Sequence, residues 1–424
     1  MLRTDPYRGY AALRDNGRVF WSDEYFNGAW VVTGYDDVRA VLQDPRLSAQ
    51  RTGGWIMQPA DREGLPRREL ADLQQLFTRA LLFLDSPDHP RVRRAMQAAF
   101  QPASIMALRP KIVAMVDALI DEIEARHGPE EPFDFIDEFA RQLPASVIAA
   151  LLGLSPERPE RFTLWSSQLA GFLGSTRPSL TGVLRARDSL LAMRRFFDDE
   201  IDRRQREAAG DDLLSRLVSA RDAGHIHGTA ELLSQCAMLL FAGYETTRHS
   251  LGTSLYWLLS HPDAWQRLQY HTALLPGAVR ELLRWDSPVQ YTGRRARSDF
   301  VLGDAPVRRG DLVVPLIGAA NRDPVKYADP DSLLLDREVG MPLSFGAGPH
   351  VCIGAMLTLT ELEVALARIT QRWPSLQLLQ GAERWIDQPL YRGLEQLWFR
   401  RKSRTERNSG LSCVPVGGEL GLVP

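Results

Sequence analysis

A cysteine near the carboxyl end of the chain lies in a glycine-rich segment. Phe-Gly-Ala-Gly-Pro-His-Val-Cys-Ile-Gly occupies residues 345–354, and an apolar pattern with helical spacing follows it. A cysteine at a helix N-terminus meets unpaired N–H groups and the positive end of the helix dipole, which stabilise a thiolate. A thiolate is a good ligand for a soft or borderline metal. The glycines would let a large flat group approach the backbone closely.

The cysteine spacing limits the kind of metal site. Cys236, Cys352 and Cys413 lie far apart in the sequence, so a zinc cage of several thiolates is excluded. If Cys352 binds a metal, something other than protein must supply most of the remaining ligands, and a porphyrin does that. The alternative is an ordinary loop before a helix, with a buried and inert cysteine. A dinucleotide-binding loop does not fit, because Val351 stands where a third glycine is required.

A second unusual segment interrupts a long apolar helix that the sequence predicts from Thr229 to Ser260. Ala-Gly-Tyr-Glu-Thr-Thr occupies residues 242–247. A glycine inside a helix costs about 1 kcal/mol relative to alanine, and a buried acid is costly unless it has a partner. Because sequences usually break local rules at functional sites, Glu245 and Thr246 are candidate site residues. The alternative is a kinked core helix with a satisfied Glu–Thr pair.

Together the motifs resemble the cytochrome P-450 superfamily of heme-thiolate monooxygenases. The cysteine segment, with Leu357 and Glu361 behind it, is similar to the heme-binding signature of that family, and Ala-Gly-x-Glu-Thr-Thr is similar to the segment that crosses the distal face of the heme. The resemblance covers roughly residues 5–400 in motif order. Thr358 and Pro342 depart from the family pattern, at positions that we expect not to touch the ligand set.

The resemblance implies a role for each matched residue. Cys352 would bind the heme iron, Thr246 would hydrogen-bond dioxygen, and Glu245 would relay protons to it. Two histidines and two arginines would bind the heme propionates, with Arg295 as the nearest competitor of Arg294. The expected cofactor contacts are His89, Arg93, Ala242, Gly243, Arg294, Phe345, His350, Cys352 and Gly354. Ala242 and Gly243 would leave room over the iron.

Two further groups of residues follow from the same resemblance. Glu281 and Arg284, at positions i and i+3 of one helix, would form a buried structural network with Arg322 that holds the cysteine loop. The expected substrate pocket is mostly apolar, and it comprises Phe83, Phe241, Val289, Gln290 and Thr292.

The fold class that we predict is mainly α. Helical periodicity dominates the sequence, with short β-type segments. The resemblance implies one large helical domain over residues 1–402 with small β-sheets, in which heme b (iron protoporphyrin IX) lies between the long central helix and the cysteine loop. Residues 403–424 lack periodicity and are expected to form a flexible tail.

Composition narrows the location and the partners. The chain has 424 residues, 44% of them hydrophobic, and a net charge of −2, which gives no reason to expect a nucleic-acid partner. Isolated cysteines fit a reducing compartment. The N-terminus has no apolar segment, and no stretch approaches the roughly 18 apolar residues of a membrane-spanning helix. We therefore expect a soluble, cytoplasmic protein with no membrane partner.

The resemblance also implies the reaction. We expect a monooxygenase of secondary metabolism that uses O2 and two externally supplied electrons to hydroxylate or epoxidise a lipophilic or aromatic small molecule. Because no flavin or iron–sulfur segment is evident, a ferredoxin and its reductase would bring electrons from NAD(P)H, docking near Arg91 and Arg94. The alternatives are a peroxide-driven heme oxidase, which needs no proton relay, and a non-catalytic heme-binding sensor. The sequence does not identify the substrate.

Overall fold

Helices make up most of the chain, as the periodicity predicts. The computed structural model describes residues 5–24, 28–50, 56–154, 159–175, 178–206 and 210–402, so the predicted tail at 403–424 lies outside the described residues. The helices are α1 Tyr7–Asp15, α2 Tyr35–Gln43, α3 Gln58–Glu63, α4 Ala71–Arg79, α5 Asp88–Gln97, α6 Pro102–Arg126, α7 Gln142–Leu151, α8 Pro159–Gly174, α9 Leu180–Arg206, α10 Leu213–Asp222, α11 Gly228–Ser260, α12 Pro262–Tyr270, α13 Leu275–Trp285, α14 Ile317–Ala320 and α15 Ala355–Arg372. A π-helical turn, Ile136–Ala140, precedes α7.

Short strands form several small sheets. The strands are β1 Val19–Ser22, β2 Ala29–Val32, β3 Leu47–Ser48, β4 Phe133–Asp134, β5 Arg294–Ala296, β6 Phe300–Leu302, β7 Ala305–Val307, β8 Leu312–Pro315, β9 Leu376–Leu378, β10 Arg384–Trp385, β11 Leu394–Gln396 and β12 Trp398–Arg401. The largest sheet has the order β1-β2-β8-β5-β3. Its β2 and β8 run parallel, whereas its other neighbours are antiparallel.

The long helix α11 organises the core. Its 33 residues extend over about 50 Å at 1.5 Å per residue, and it packs against α4, α7, α8 and α15. Most of its side chains are buried on all sides, which explains why its sequence is apolar around the whole helix rather than along one stripe. Within the described ranges no helix is both long and apolar enough to cross a membrane.

The start of the long helix differs from its prediction by one residue. α11 begins at Gly228, one residue before Thr229, and no side chain caps it. At the start of α5, the carboxylate of Asp88 accepts a hydrogen bond from Arg91 at 2.8 Å.

Candidate active site

A large cavity lies between α11 and the cysteine loop. Its volume is about 1120 Å³, and residues from both elements line it. From α11 the lining side chains belong to Met238, Phe241, Ala242, Thr246 and Ser250, and from the loop they belong to residues that include Phe345, His350 and Cys352. The structure therefore brings the cysteine loop and the Ala-Gly-Tyr-Glu-Thr-Thr segment of α11 to the same cavity.

The cysteine loop is folded tightly by two glycines. Gly346 and Gly348 have φ values of 72° and 71°, in the left-handed region that favours glycine. A Cβ at Gly348 would lie 3.0 Å from the Cα of Gln43 and from the carbonyl oxygen of Leu42, so the loop packs directly on the end of α2. The Cys352 N–H donates to the carbonyl of Phe345 at 2.8 Å, which closes the loop.

The Cys352 thiol is surrounded by protein and exposed to the cavity. Burial raises its pKa, while the backbone N–H of Gly354 and the charge of Arg93 lower it. Desolvation outweighs these favourable contacts, so the pKa of the free thiol is raised. A metal cation at the sulfur would supply the missing positive charge, so this sulfur fits a metal that enters from the cavity.

Four basic side chains line the same cavity, as predicted: His89, Arg93, Arg294 and His350. Arg294 is 5% exposed and donates to the carbonyl of its neighbour Gly293 at 2.9 Å. Neither Arg93 nor Arg294 forms a salt bridge with any carboxylate in the described part of the chain. Burial lowers the pKa of Arg294 to about 10, partly opposed by Asp85. Burying a cation without a counterion is costly, so these side chains fit an anionic group in the cavity.

His89 and His350 add hydrogen-bond donors to the same part of the cavity wall. The rings of His89 and His350 lie 4.1 Å apart, centre to centre. The Nε2 atom of His89 is buried and has no hydrogen-bond partner among the described residues. Burial and Arg93 lower the pKa of His89. An orphaned ring nitrogen beside two unpaired guanidinium groups matches what a pair of propionate carboxylates would need.

Strand alternation places Arg294 and Arg295 on opposite faces of β5. Successive side chains of a strand point to opposite faces, and in β5 Arg294 is buried whereas Arg295 is exposed. Arg295 reaches the cavity rim but donates to the carbonyl of Gly310 at 2.7 Å.

The predicted acid and alcohol lie on adjacent faces of α11. Thr246 lines the cavity, and its Oγ1 donates to the carbonyl of Ala242 at 3.0 Å. Glu245 is 2% exposed, and its Oε2 lies 3.0 Å from Arg248 Nη2 and 3.2 Å from His249 Nε2. Burial raises the pKa of Glu245, but Arg248 and His249 outweigh it and lower the pKa to about 2. Glu245 is therefore a carboxylate that does not face the cavity.

Sequence reasoning missed Arg248 and His249. They stand three and four residues after the acid, a spacing that places them beside it on a helix. Burial and Arg248 lower the pKa of His249 to about 4, so this histidine is neutral near pH 7. The spacing of these two basic residues from a buried acid could have predicted that they contact it.

Three predicted site residues lie elsewhere than expected. A Cβ at Gly243 would meet Ile148 of α7 at 3.0 Å, so this glycine allows close packing of the two helices and does not line the cavity. Gln290 is buried away from the lining and donates to the Ser287 carbonyl at 2.6 Å, because it alternates with the cavity-lining Val289. Gly354 precedes α15 and approaches the cysteine sulfur instead of the cavity.

The remaining predicted pocket residues, Phe83, Phe241, Val289 and Thr292, line the cavity. Further apolar lining comes from Leu81, Leu82, Met238, Leu173 and Leu390. The wall is therefore mostly aliphatic and aromatic, as binding sites for lipophilic molecules are.

Two positions of α15 lie near the cysteine loop or in the core. Thr358, in the first turns of the helix, lines the same cavity as Cys352. Glu361 is 2% exposed, its Oε2 has no partner within the described ranges, and burial raises its pKa well above the usual value. Burial therefore favours the neutral form of this acid.

The predicted structural network is present and larger than expected. Arg284 donates two hydrogen bonds to Glu281, at 2.6 and 2.8 Å, and one to the carbonyl of Asn321 at 2.9 Å. Asn321 in turn accepts from the N–H of Leu343, at the start of the cysteine loop, at 3.1 Å. Arg322 donates to the carbonyl of Trp285. Arg337, which the sequence did not indicate, lies 3.1 Å from Glu281.

The fold and the site combine a mainly helical chain with one cavity that is lined by a thiol, by basic side chains and by an apolar wall. The family follows from comparison. A sequence profile of the cytochrome P-450 family matches residues 16–385, so the chain belongs to that family. Its cofactor is a heme iron, and it is a monooxygenase that consumes a small-molecule substrate and receives electrons from a redox partner.

Curated relatives and solved structures agree with this assignment. The mycinamicin IV hydroxylase/epoxidase of Micromonospora griseorubida is 36% identical over 373 residues, 87% of this chain and 88% of that protein. The 6-deoxyerythronolide B hydroxylase of Saccharopolyspora erythraea is 33% identical over 405 residues, 94% of this chain and 96% of that protein. The crystal structure of P450BioI with a fatty-acyl-ligated acyl carrier protein matches with a TM-score of 0.85 and 30% identity, covering 94% of this chain and 99% of that one.

Proposed function

We propose that Cys352 is the axial ligand of heme b and that His89, Arg93, Arg294 and His350 bind its propionates. The observation that carries this proposal is the cavity itself, which is lined by one thiol, by His89 with an unpartnered buried Nε2, and by Arg93 and Arg294, which form no salt bridge in the described part of the chain. When bound, the heme supplies the iron at which dioxygen is reduced, with electron donation from a thiolate favouring O–O cleavage.

In this proposal, Thr246 and Glu245 of α11 deliver protons to the reaction. The Thr246 hydroxyl lines the cavity, and by turning from the Ala242 carbonyl it would donate a hydrogen bond into the space where the heme would hold its oxygen ligand. Glu245 is the neighbouring acid that replenishes the proton. General acid–base catalysis of this kind contributes roughly 10²–10⁴-fold. A peroxide-driven oxidase would not need this pair.

The substrate in this proposal is a lipophilic small molecule of secondary metabolism, which is hydroxylated or epoxidised. The apolar wall contributed by Phe83, Phe241 and Val289 supports a lipophilic ligand. One relative is named as a hydroxylase/epoxidase of mycinamicin IV and another as a hydroxylase of 6-deoxyerythronolide B, which supports the reaction type. The identity of the substrate does not follow from the lining.

Electrons come from a ferredoxin and its reductase in this proposal, in the cytoplasm. Of the two arginines that we expected at the docking surface, Arg91 is already paired, because it contacts Glu231 twice at 2.8 Å. Arg94 is exposed and forms no salt bridge within the described ranges, so it remains the candidate contact.

Turnover with a defined electron supply tests this proposal. The protein, loaded with heme, is given NADPH, a ferredoxin and its reductase, and lipophilic candidates chosen by their effect on its absorption spectrum. We expect oxygenated product, and we expect Thr246→Ala to divert reductant into hydrogen peroxide. Equal product from hydrogen peroxide alone, unaffected by Thr246→Ala, would instead identify a peroxide-driven oxidase.

A further inference from the structure

Two segments of the chain meet in one wall of the cavity. Residues 288–292 follow shortly after α13, residues 389–391 lie between β10 and β11, and both segments contribute lining side chains. They pair in an isolated antiparallel β-bridge between Val289 and Tyr391, outside the named strands. Because both bridge residues line the cavity, the bridge sets the distance between the two halves of this wall.

Few main-chain contacts hold the bridge. The N–H of Gln290 donates to the carbonyl of Leu390 at 2.8 Å, and the N–H of Arg392 donates to the carbonyl of Pro288 at 2.9 Å. The first segment is also fixed to α14, because the N–H of Gly318 donates to the carbonyl of Gln290 at 3.0 Å. A two-stranded pair without further strands is marginally stable at best, so the position of the second segment depends on side chains at its end.

A buried ion pair lies at that end. Asp286 and Arg392 are 1% and 5% exposed, and Nε of Arg392 lies 3.1 Å from Oδ1 of Asp286. Asp286 comes two residues before Pro288, and Arg392 directly follows Tyr391, so each partner is continuous with one of the two wall segments. Separating two buried charges is costly. The pair therefore holds the two segments at one distance.

Neighbouring elements hold both partners of this pair. The Tyr7 hydroxyl of α1 and the Trp257 indole N–H of α11 each donate to the Asp286 carboxylate at 2.7 Å. The guanidinium carbon of Arg392 lies 3.6 Å from the centre of the Trp385 ring of β10, a cation–π contact. The ion pair therefore ties the wall to α1, α11 and β10, which fold far from one another in the sequence.

We propose that Asp286 and Arg392 are positioning residues that fix the two wall segments against each other and thereby determine which molecules the cavity accepts. The inference rests on the proposed function, in which the cavity holds heme and a lipophilic substrate. Neither Asp286 nor Arg392 lines the cavity, so both act on a ligand only through the side chains of the wall.

Preorganisation is the physical reason for this effect. A wall that is already fixed does not have to be ordered when a ligand arrives, whereas a loose wall loses conformational freedom on binding and lowers the affinity. Ligands that contact the wall therefore bind more weakly when the ion pair is broken. A ligand too small to reach the wall keeps its affinity.

The test compares two probes in the heme-loaded protein by the shift of the Soret band: imidazole, which is too small to reach the wall, and dodecylimidazole, whose alkyl chain extends along it. In Arg392→Met the Asp286 carboxylate keeps the donors of Tyr7 and Trp257. We expect dodecylimidazole to bind this variant at least about tenfold more weakly, since ordering even one residue on binding costs that much. Imidazole should bind as in the parent, and Arg392→Lys, which keeps the charge, should lie between the two.

Arg384→Met is the matched control. Arg384 and Glu395 form an ion pair at 2.9 Å between β10 and β11, next to the same wall segment, but both are exposed and neither lines the cavity. Breaking this pair should leave the affinity for both probes at the parent value. If Arg384→Met weakens dodecylimidazole as much as Arg392→Met does, the buried pair has no special positioning role and the proposal is wrong.

Hydrogen exchange gives a second readout, which depends on neither turnover nor azole binding. The N–H of Gln290 crosses the bridge, so it should exchange faster in Arg392→Met than in the parent and in Arg384→Met. Should Arg392→Met not fold, Tyr7→Phe takes its place, because it removes one donor from Asp286 and leaves the ion pair. Faster exchange of this N–H in Tyr7→Phe is then expected, and the parent rate would overturn the proposal.

The remaining outcomes separate this inference from the proposed function. Parent affinity for dodecylimidazole and parent exchange in a folded Arg392→Met would show that the ion pair does not fix the wall. An equal loss of affinity for both azoles would also overturn the proposal, because the change would then lie at the iron. If the parent shows no Soret shift with imidazole, the proposed function fails instead, and hydrogen exchange still tests the positioning.

Discussion

The Nη2 atom of Arg284 lies 2.8 Å from Oε1 of Glu281, and neither side chain has any exposed surface. Asn321 connects this pair to the start of the cysteine loop: its main-chain carbonyl accepts from Arg284, and its side-chain Oδ1 accepts from the N–H of Leu343. A contact that ordinarily stabilises the surface of a helix by a few tenths of a kcal/mol is here a buried anchor for the cysteine loop.

Breaking this pair should therefore be costly. Removing one partner of a buried ion pair leaves an uncompensated charge and costs about 3–5 kcal/mol. We expect Glu281→Ala to lower the free energy of unfolding in urea by that amount and to reduce heme retention. The control is Glu122→Ala, since the exposed Glu122–Arg126 pair should contribute less than about 1 kcal/mol. Equal small losses in both variants would contradict an anchoring role.

Acid should destabilise the protein through two buried groups of α11, His249 and Glu245. The folded-state pKa of His249 is lowered from 6.5 to about 4, so the unfolded chain takes up its proton first, and stability is lost as the pH falls from about 6.5 to 4. The folded-state pKa of Glu245 is lowered from 4.5 to about 2, so its contribution is present above 4.5 and is lost as the pH falls toward 2.

We expect His249→Asn to flatten the dependence of the unfolding free energy on pH between 4 and 6.5 by up to about one bound proton. Denaturant titrations at several pH values measure this slope. His225→Asn, at an exposed position, provides the comparison and should keep the parent slope. A parent-like slope in His249→Asn would mean that His249 does not titrate as its surroundings indicate.

The basic groups of the cavity should hold the heme unequally. Arg294 is buried at the cavity and Arg295, next to it, is exposed. A hydrogen bond to a charged group contributes about 1.5–3 kcal/mol, so Arg294→Met should speed heme loss to an apomyoglobin acceptor at least about tenfold, whereas Arg295→Met should change it little. The reverse order would assign the propionate contact to the other arginine.

The loop glycine Gly348 should not tolerate a side chain. At φ 71° a non-glycine residue costs about 1–2 kcal/mol, and its Cβ would also press on the backbone of α2. We predict that Gly348→Ala unfolds more readily than Gly303→Ala, in which φ is 60° but no atom lies within 4 Å of the new Cβ. Calorimetry of both variants, together with their heme content, measures the difference. Equal losses would show that the contact with α2 does not restrict the loop.

Motifs and periodicity were enough to predict the helical class. They also indicated that Cys352, Thr246 and four basic side chains would lie around one cavity. These depend on local spacing, which a sequence displays. The sequence could not show that Gly243 and Gln290 face away from the cavity. Gly243 packs against Ile148 and Gln290 bonds to Ser287, and both contacts depend on the tertiary structure. The burial that raises the pKa of the Cys352 thiol could not be predicted for a related reason: burial is a tertiary property, whereas the helix dipole is a local one.

The absorption spectrum of the reduced, carbon monoxide-treated protein, recorded beside that of Cys352→Ser, tests the central claim most directly. Thiolate ligation by Cys352 predicts an abnormally red-shifted Soret band in the parent and its loss in the variant. A band at the ordinary heme position in both proteins, or an unchanged red-shifted band in Cys352→Ser, would contradict the assignment of this sulfur as the iron ligand.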